Sequence, residues 1–143
     1  LEVAGLDLSA VRLAVLSACE TGLGKEAGGE GLLGLQRAFA VAGCRAVVGS
    51  LWRVDDPATS VLMERFYFHL WEKKLPAEEA LRQAQLDVLR GPELVRAREA
   101  ALIKLVGERA LRGLGPALPA RAGEGRRSPP AFWAGFVLSG DGR

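Results

Sequence analysis

The sequence has few of the residues that most catalytic and metal sites use. Its 143 residues contain one histidine, His69, and two cysteines, Cys19 and Cys44, which lie 25 positions apart. With one histidine, this chain alone cannot provide the two imidazoles that some catalytic mechanisms need. Two cysteines at this spacing form neither a disulfide framework nor a zinc-ligand cluster. We therefore expect no metal and no cofactor.

Long apolar runs are also missing. No segment approaches the roughly 20 consecutive apolar residues that a membrane-spanning helix needs, and no secretory signal is recognisable. The composition, 49% hydrophobic and 25% charged, is that of a soluble globular protein rather than of a disordered segment. We expect a cytoplasmic protein with no membrane contact, formed by one domain or a piece of one.

The net charge of the chain is also small. The 19 Lys and Arg exceed the 17 Asp and Glu by only two, so nucleic-acid binding is not expected. The stretch from Arg96 to Arg127 departs from this balance, because its eight basic and three acidic residues give +5, without an aromatic residue for base stacking. This stretch is typical of a solvated helix face followed by a basic loop, and contact with an acidic partner is the alternative.

What the sequence does contain is a β-α-β pattern near its beginning. Short apolar runs at 13–18 and 46–51 predict two strands buried on both faces. Between them, apolar residues at helical spacing predict a helix over 31–42 that Gly43 ends. The close succession of strand, helix and strand predicts a parallel pair with a right-handed crossover.

Three helices and a last strand are predicted downstream. The helices begin at Asp56, Pro76 and Glu93, with Asp56 as the N-cap and Pro57 in the first helical position. A linker rich in glycine and proline over 113–130 precedes a strand over 132–139. We expect the three strands to form one parallel sheet in an α/β fold. The last helix continues to about Arg112, and its inward apolar positions are Leu94, Ala101, Leu102, Leu105 and Val106.

The candidate chemistry lies where the first two strands end. Ligands of parallel α/β sheets bind outside the carboxyl ends of the strands, which here are followed by Cys19 and by the segment 52–56. Cys19 precedes a glycine-rich turn, which would expose its thiol and bring backbone N–H groups to a developing oxyanion. An inert buried thiol is the alternative. His69 lies within a helix and is expected to be a partly buried packing residue rather than a base.

The same glycine-rich turn agrees only in part with nucleotide binding. Residues 22–27 fit the pattern G-x-G-x-x-G/A, but Lys25 lacks the neighbours that a P-loop requires. The following helix begins too late, and the next strand ends at Ser50 rather than at an acid that could bind a ribose. A nucleotide-binding βαβ domain is therefore disfavoured.

Several short segments, in order and at suitable spacing, carry a resemblance to a known family. They are VLSACETG at 15–22, GEG at 29–31, VVGSLWRVDD at 47–56, EAL at 79–81 and PAFWAGFVLSGD at 130–141. Together they cover most of 6–90 and 129–141, and over them the chain is similar to the CHAT domain (caspase-like, associated with tetratricopeptide repeats). No single segment is specific, but their combination is.

The resemblance implies a caspase-like fold, with a mostly parallel sheet flanked by helices, in the clan of separases, gingipains and caspases. It also implies a cysteine endopeptidase with Cys19 as the nucleophile and a protein or peptide as the substrate. The family's catalytic histidine belongs to a His-Gly motif on the preceding strand, which this sequence lacks. We therefore expect residues 1–143 to be the C-terminal part of one CHAT domain, incomplete at its N-terminus and nearly inert alone.

The resemblance extends to a candidate specificity residue. Separases have a similar Leu-Trp-x-Val-x-Asp segment, whose last acid is thought to receive a basic side chain immediately before the scissile bond, and Asp56 occupies the matching position. The alternative is that Asp56 only caps the helix that follows it. Both roles are compatible if one carboxylate oxygen caps the helix and the other faces the pocket.

Further expectations concern partners. A tetratricopeptide-repeat segment or the upstream part of the same protein is expected to cover apolar sheet surface that would otherwise lead to self-association. Residues 91–128 are longer than the family pattern suggests and are interpreted as a helical, basic insertion, near the substrate groove or on the far face. The functional alternative is a CHAT-type protein-interaction module without catalysis, and a His-Gly strand upstream of Leu1 would favour the peptidase.

Overall fold

A computed structural model describes residues 2–16, 30–52, 54–107 and 126–142. The chain divides into two compact units, one of residues 1–53, 76–78 and 135–143 and one of residues 54–75 and 79–134. Helices and a small sheet are both present, so the predicted α/β class is confirmed. The described strands are β1 (Leu13–Leu16), β2 (Ala46–Ser50) and β3 (Phe136–Gly140), and the described α-helices are α1 (Glu30–Val41), α2 (Asp56–Tyr67), α3 (Ala77–Arg90) and α4 (Pro92–Val106).

The first unit is built on a mixed sheet of three strands in the order β1-β2-β3. β1 and β2 are parallel, with Leu16 in register with Gly49, as the β-α-β pattern predicts. β3 is antiparallel to β2, so the expectation of a parallel third strand is wrong. The chain enters β3 beside the carboxyl end of β2, where the Leu51 N–H donates to the Gly135 carbonyl over 2.8 Å. The composition of a strand does not encode the end from which the chain enters it.

The last strand also begins later than the sequence predicts. Pro130–Phe132 form a 3₁₀ turn, and the Pro130 carbonyl accepts from the Trp133 and Ala134 N–H groups at 3.2 and 2.8 Å. Two successive prolines fix the backbone φ there and lack the N–H groups that a strand would donate. β3 therefore starts at Phe136 rather than at 132.

β2 forms the buried centre of the first unit. Val47 and Val48 are 2% and 0% exposed, which confirms a strand buried on both faces. β1 lies at the edge of the described sheet and all four of its residues are half-buried, so its predicted burial on both faces is wrong. α1 packs against β2, and Gly43, where α1 ends, has the positive φ of 99° that this position of a helix favours.

The second unit is helical. α2 packs against α4, and Arg98 of α4 donates hydrogen bonds to Ser60 and Glu64 of α2. A single turn of π-helix, Phe68–Glu72, follows α2. Among the described residues, no helix combines the length and the apolarity that crossing a membrane would take. The buried apolar side chains of this unit include Val54, Ala58, Val61, Leu62, Phe66, Ala80, Leu81, Ala84, Val88, Val95 and Phe132.

α4 departs from its prediction in its C-terminal half. Leu105 and Val106 were expected on the inward stripe but are 79% and 46% exposed, whereas Val95 is buried. Helical spacing identifies an apolar face, but that face is buried only where another element covers it. The predicted continuation of this helix to Arg112 and most of the 113–130 linker lie outside the described residues.

Candidate functional site

Of the two predicted site residues, the structure describes Asp56. Cys19 and the glycine-rich segment around it, 17–29, lie outside the described residues. The strand that leads to this segment, β1, is described up to Leu16 and runs parallel to β2. The nucleophilic role of Cys19 and its closeness to Asp56 therefore stay predictions. Within the described ranges, no group of three or more His, Cys, Asp or Glu is arranged to hold a metal ion.

The N-cap of α2 is Asp55 and not Asp56. The Ala58 N–H donates to the Asp55 carboxylate over 3.1 Å, and the Thr59 N–H donates to the Asp55 carbonyl over 2.8 Å. Asp56 is the first residue of the helix, so the prediction that it caps the helix is wrong by one position. Either aspartate suits an N-cap by composition, and Pro57 is tolerated in the first turn whichever of them does so.

Because Asp55 caps the helix, the carboxylate of Asp56 is not used by the cap. Its side chain is exposed, and it makes no hydrogen bond or ion pair with another described residue. Its place in the first turn of α2 favours a negative charge, because the N-terminal end of a helix carries partial positive charge. The Asp56 carboxylate is not occupied by the cap and is thus available to a cationic group from outside.

The pKa of Asp55 is shifted by its surroundings. Burial raises the pKa of Asp55 above its ordinary value of 3.8, the hydrogen bond from Ala58 opposes that rise, and the charges of Glu99 and Asp56 add to it. Glu99 belongs to α4, which lies in the segment 91–128 interpreted as an insertion. That segment therefore contributes a negative charge beside the start of α2, a contribution that the sequence does not reveal because Asp55 and Glu99 are far apart along the chain.

Substitutions of Asp55 should separate its capping role from the cost of burying its charge. The pKa of Asp55 is higher in the folded state than in the unfolded state, so the folded state retains a proton that the unfolded state releases as the pH rises above 3.8, and stability falls over that window. We expect Asp55→Asn, a neutral cap, to melt at the same or a higher temperature than wild type at pH 7, with a difference that shrinks toward pH 4.

Asp55→Ala is the matched comparison, since it removes both the charge and the cap. We expect it to lose about 1 kcal/mol of the free energy of unfolding at pH 7. Equal thermal melting of the Asn and Ala variants would show that the hydrogen bond to Ala58 does not stabilise the helix.

His69 is partly buried, as expected, and has a partner that the sequence did not suggest. It lies in the π-helical turn, its side chain is 15% exposed, and its Nε2 lies 2.8 Å from Asp87 Oδ2 of α3. The two residues are 18 positions apart, so no local motif links them. The pair joins the π-helical turn to α3 and leaves Nε2 of this imidazole occupied.

Cys44, the second cysteine, is a buried filler, as expected. It is 6% exposed, and its thiol donates to the Ala46 carbonyl over 3.2 Å. A thiol this enclosed, two residues before β2, has little access to a reagent or a substrate.

The chain matches one known family over almost its whole length. The model of the CHAT domain matches residues 1–141, so the chain belongs to the CHAT domain family. This family is caspase-like and is associated in general with proteins that contain tetratricopeptide repeats. The match spans residues of both compact units. No curated protein and no solved structure gives a significant match.

Proposed function

We propose that the chain is part of a caspase-like cysteine endopeptidase in which Cys19 is the nucleophile. The observation that supports this proposal is the family match over residues 1–141, which includes the segment 15–22 with Cys19. A parallel β1–β2 pair, with Cys19 following the carboxyl end of β1, agrees with a reactive residue at the edge where such sheets bind ligands. The peptide substrate and the cytoplasmic location stay predictions.

In the proposed reaction the Cys19 thiolate attacks the carbonyl carbon of a peptide bond. The Cys19 N–H and a glycine N–H from upstream stabilise the oxyanion, and a histidine from upstream protonates the departing amine. Water then releases the acyl group from the sulfur. We do not assign the base role to His69, because its side chain is 15% exposed and its Nε2 is paired with Asp87.

The upstream part of the same protein, or a tetratricopeptide-repeat segment, is the proposed partner of the first unit. β1 is an outer strand of the described sheet, and its four residues, all apolar, are half-buried. Edge strands of this kind are usually paired or covered in a folded protein. Self-association of the chain is the alternative cover.

We further propose that Asp56 selects a basic side chain immediately before the scissile bond. The support is chemical: its carboxylate is exposed, it does not cap α2, and it pairs with no other described residue. A guanidinium can form two charge-assisted hydrogen bonds with a carboxylate, whereas an ammonium binds as a point charge. The proposal therefore predicts a preference for arginine over lysine.

A peptide library on the full-length protein tests this proposal. We expect wild type to cleave after Arg and Lys, and Asp56→Asn to lower kcat/KM for these peptides roughly ten- to a hundredfold, the value of a hydrogen bond to a charged group. The matched control is Asp55→Asn, which neutralises the neighbouring carboxylate and retains a capping side chain.

The control should keep the basic preference. An unchanged preference in Asp56→Asn would exclude Asp56 from substrate recognition, and the same loss in both variants would indicate a general effect of negative charge at the start of α2. No cleavage of any peptide by the wild-type protein would contradict the peptidase and leave the interaction module.

A further inference from the structure

Trp52 presents a large aromatic surface directly after β2. It is 43% exposed, and its neighbour Leu51 is 38% exposed. The backbone beneath them is fixed, because the Leu51 N–H donates to the Gly135 carbonyl over 2.8 Å and the Ser50 hydroxyl donates to the Trp52 carbonyl. An exposed tryptophan on a fixed backbone offers contact area at a small cost in conformational entropy.

Gly135 is what allows the indole to lie where it does. A Cβ at residue 135 would be 2.9 Å from Cε2 and 3.0 Å from Nε1 of Trp52, which is closer than side-chain atoms normally approach. The indole therefore packs closely against the backbone of Gly135, which has no side chain, and a larger residue at position 135 would displace the indole. This contact orients the ring without burying it.

The position of Trp52 relates it to the reactive edge of the sheet. Leu16 is in register with Gly49 across the parallel β1–β2 pair. Trp52 follows Gly49 by three residues, and Cys19 follows Leu16 by three residues. Because β1 and β2 are parallel, Leu16 and Ser50 end their strands at the same edge of the sheet, which is where ligands of parallel sheets bind.

We propose that Trp52 determines specificity by packing its indole against an apolar side chain of the peptide substrate, within two residues of the scissile bond. This inference rests on the proposed peptidase function and adds a second, apolar requirement to the basic residue that Asp56 would select. The indole makes the apolar contact with the substrate, and close packing against Gly135 fixes the position of the indole.

The test is a library of peptides cleaved by the full-length protein, with apolar or polar residues at each position around the scissile bond. We expect wild type to prefer an apolar residue within two positions of the bond. In Trp52→Ala, kcat/KM for the apolar peptides should fall about tenfold or more, as for other apolar subsites, and kcat/KM for the polar peptides should stay the same. Trp71→Ala is the matched control, because Trp71 is 59% exposed but lies in the π-helical turn, and it should keep the preference.

Two further variants separate recognition from folding. Trp52→Phe keeps an aromatic ring and should lose less of the preference than Trp52→Ala, whereas Gly135→Ala keeps the indole but displaces it and should weaken the preference. An unchanged apolar preference in folded Trp52→Ala or folded Gly135→Ala would overturn the inference while the peptidase stands. Equal losses on apolar and polar peptides would also overturn it, and a wild-type protein that cleaves no peptide would overturn both proposals.

Discussion

Replacement of Cys19 by alanine is expected to lower kcat/KM for peptide hydrolysis by the full-length protein by roughly four orders of magnitude or more, as for other nucleophiles that act in a catalytic unit. The reason is that alanine leaves no group to form the covalent acyl intermediate, while substrate binding remains. The measurement is the initial rate of cleavage of a fluorogenic peptide.

Cys44→Ala is the matched control, since it removes the other thiol of the chain. Cys44 is buried and its thiol donates to the Ala46 carbonyl, so this variant should lose some stability and keep its activity per folded molecule. Cleavage that survives in Cys19→Ala, or that disappears in Cys44→Ala while the protein remains folded, would contradict the proposed nucleophile.

Gly140→Ala is expected to destabilise the chain more than any other single substitution considered above. Gly140 has φ of 97°, and a Cβ there would clash with the Arg45 carbonyl oxygen. Alanine would therefore introduce both backbone strain and a clash at the pairing of β3 with β2, where Ala46 faces Gly140. We expect a loss of roughly 2–4 kcal/mol, measured as the free energy of unfolding in urea.

Gly107→Ala is a control that isolates the effect of the backbone. Gly107 also has a positive φ, 84°, but nothing lies within 4 Å of its Cβ position. Its substitution should cost about 1 kcal/mol through backbone strain alone. If both variants lose the same free energy, the close approach of Gly140 to Arg45 does not contribute to stability.

The parts of the fold that the sequence predicts well are those that local chemistry determines. The apolar runs at 13–18 and 46–51 are too short for a typical helix, which favours strands, and Asp-Pro at 56–57 marks a helix start to within one residue. The direction of β3 could not be predicted from local sequence, because it depends on where the chain re-enters the sheet. The exposure of Leu105 could not be predicted either, because it depends on which elements cover α4.

In the candidate site too, the sequence predicts local features and misses those that depend on tertiary packing. The family motifs predict Cys19 and the segment 52–56 as site candidates from the sequence, because each motif is contiguous. The choice between Asp55 and Asp56 as cap depends on which carboxylate meets the Ala58 N–H, and two adjacent aspartates look alike in sequence. The pairing of His69 with Asp87 joins residues that are distant along the chain, and only packing brings them together.

The pairing of β2 with β3 has a consequence for the order in which the chain folds. Ala46 pairs with Gly140, a separation of 140 − 46 = 94 residues, and the whole of the helical unit lies between them in sequence. During synthesis, β1, α1 and β2 leave the ribosome long before β3, so β2 and β3 can pair only after the helical unit between them has been synthesised. Contacts between residues this far apart carry a large loop-closure entropy and slow the folding transition. Until β3 arrives, one hydrogen-bonding edge of β2 lacks its native partner, and that edge is the site where a chaperone or a second nascent chain would compete with the native strand.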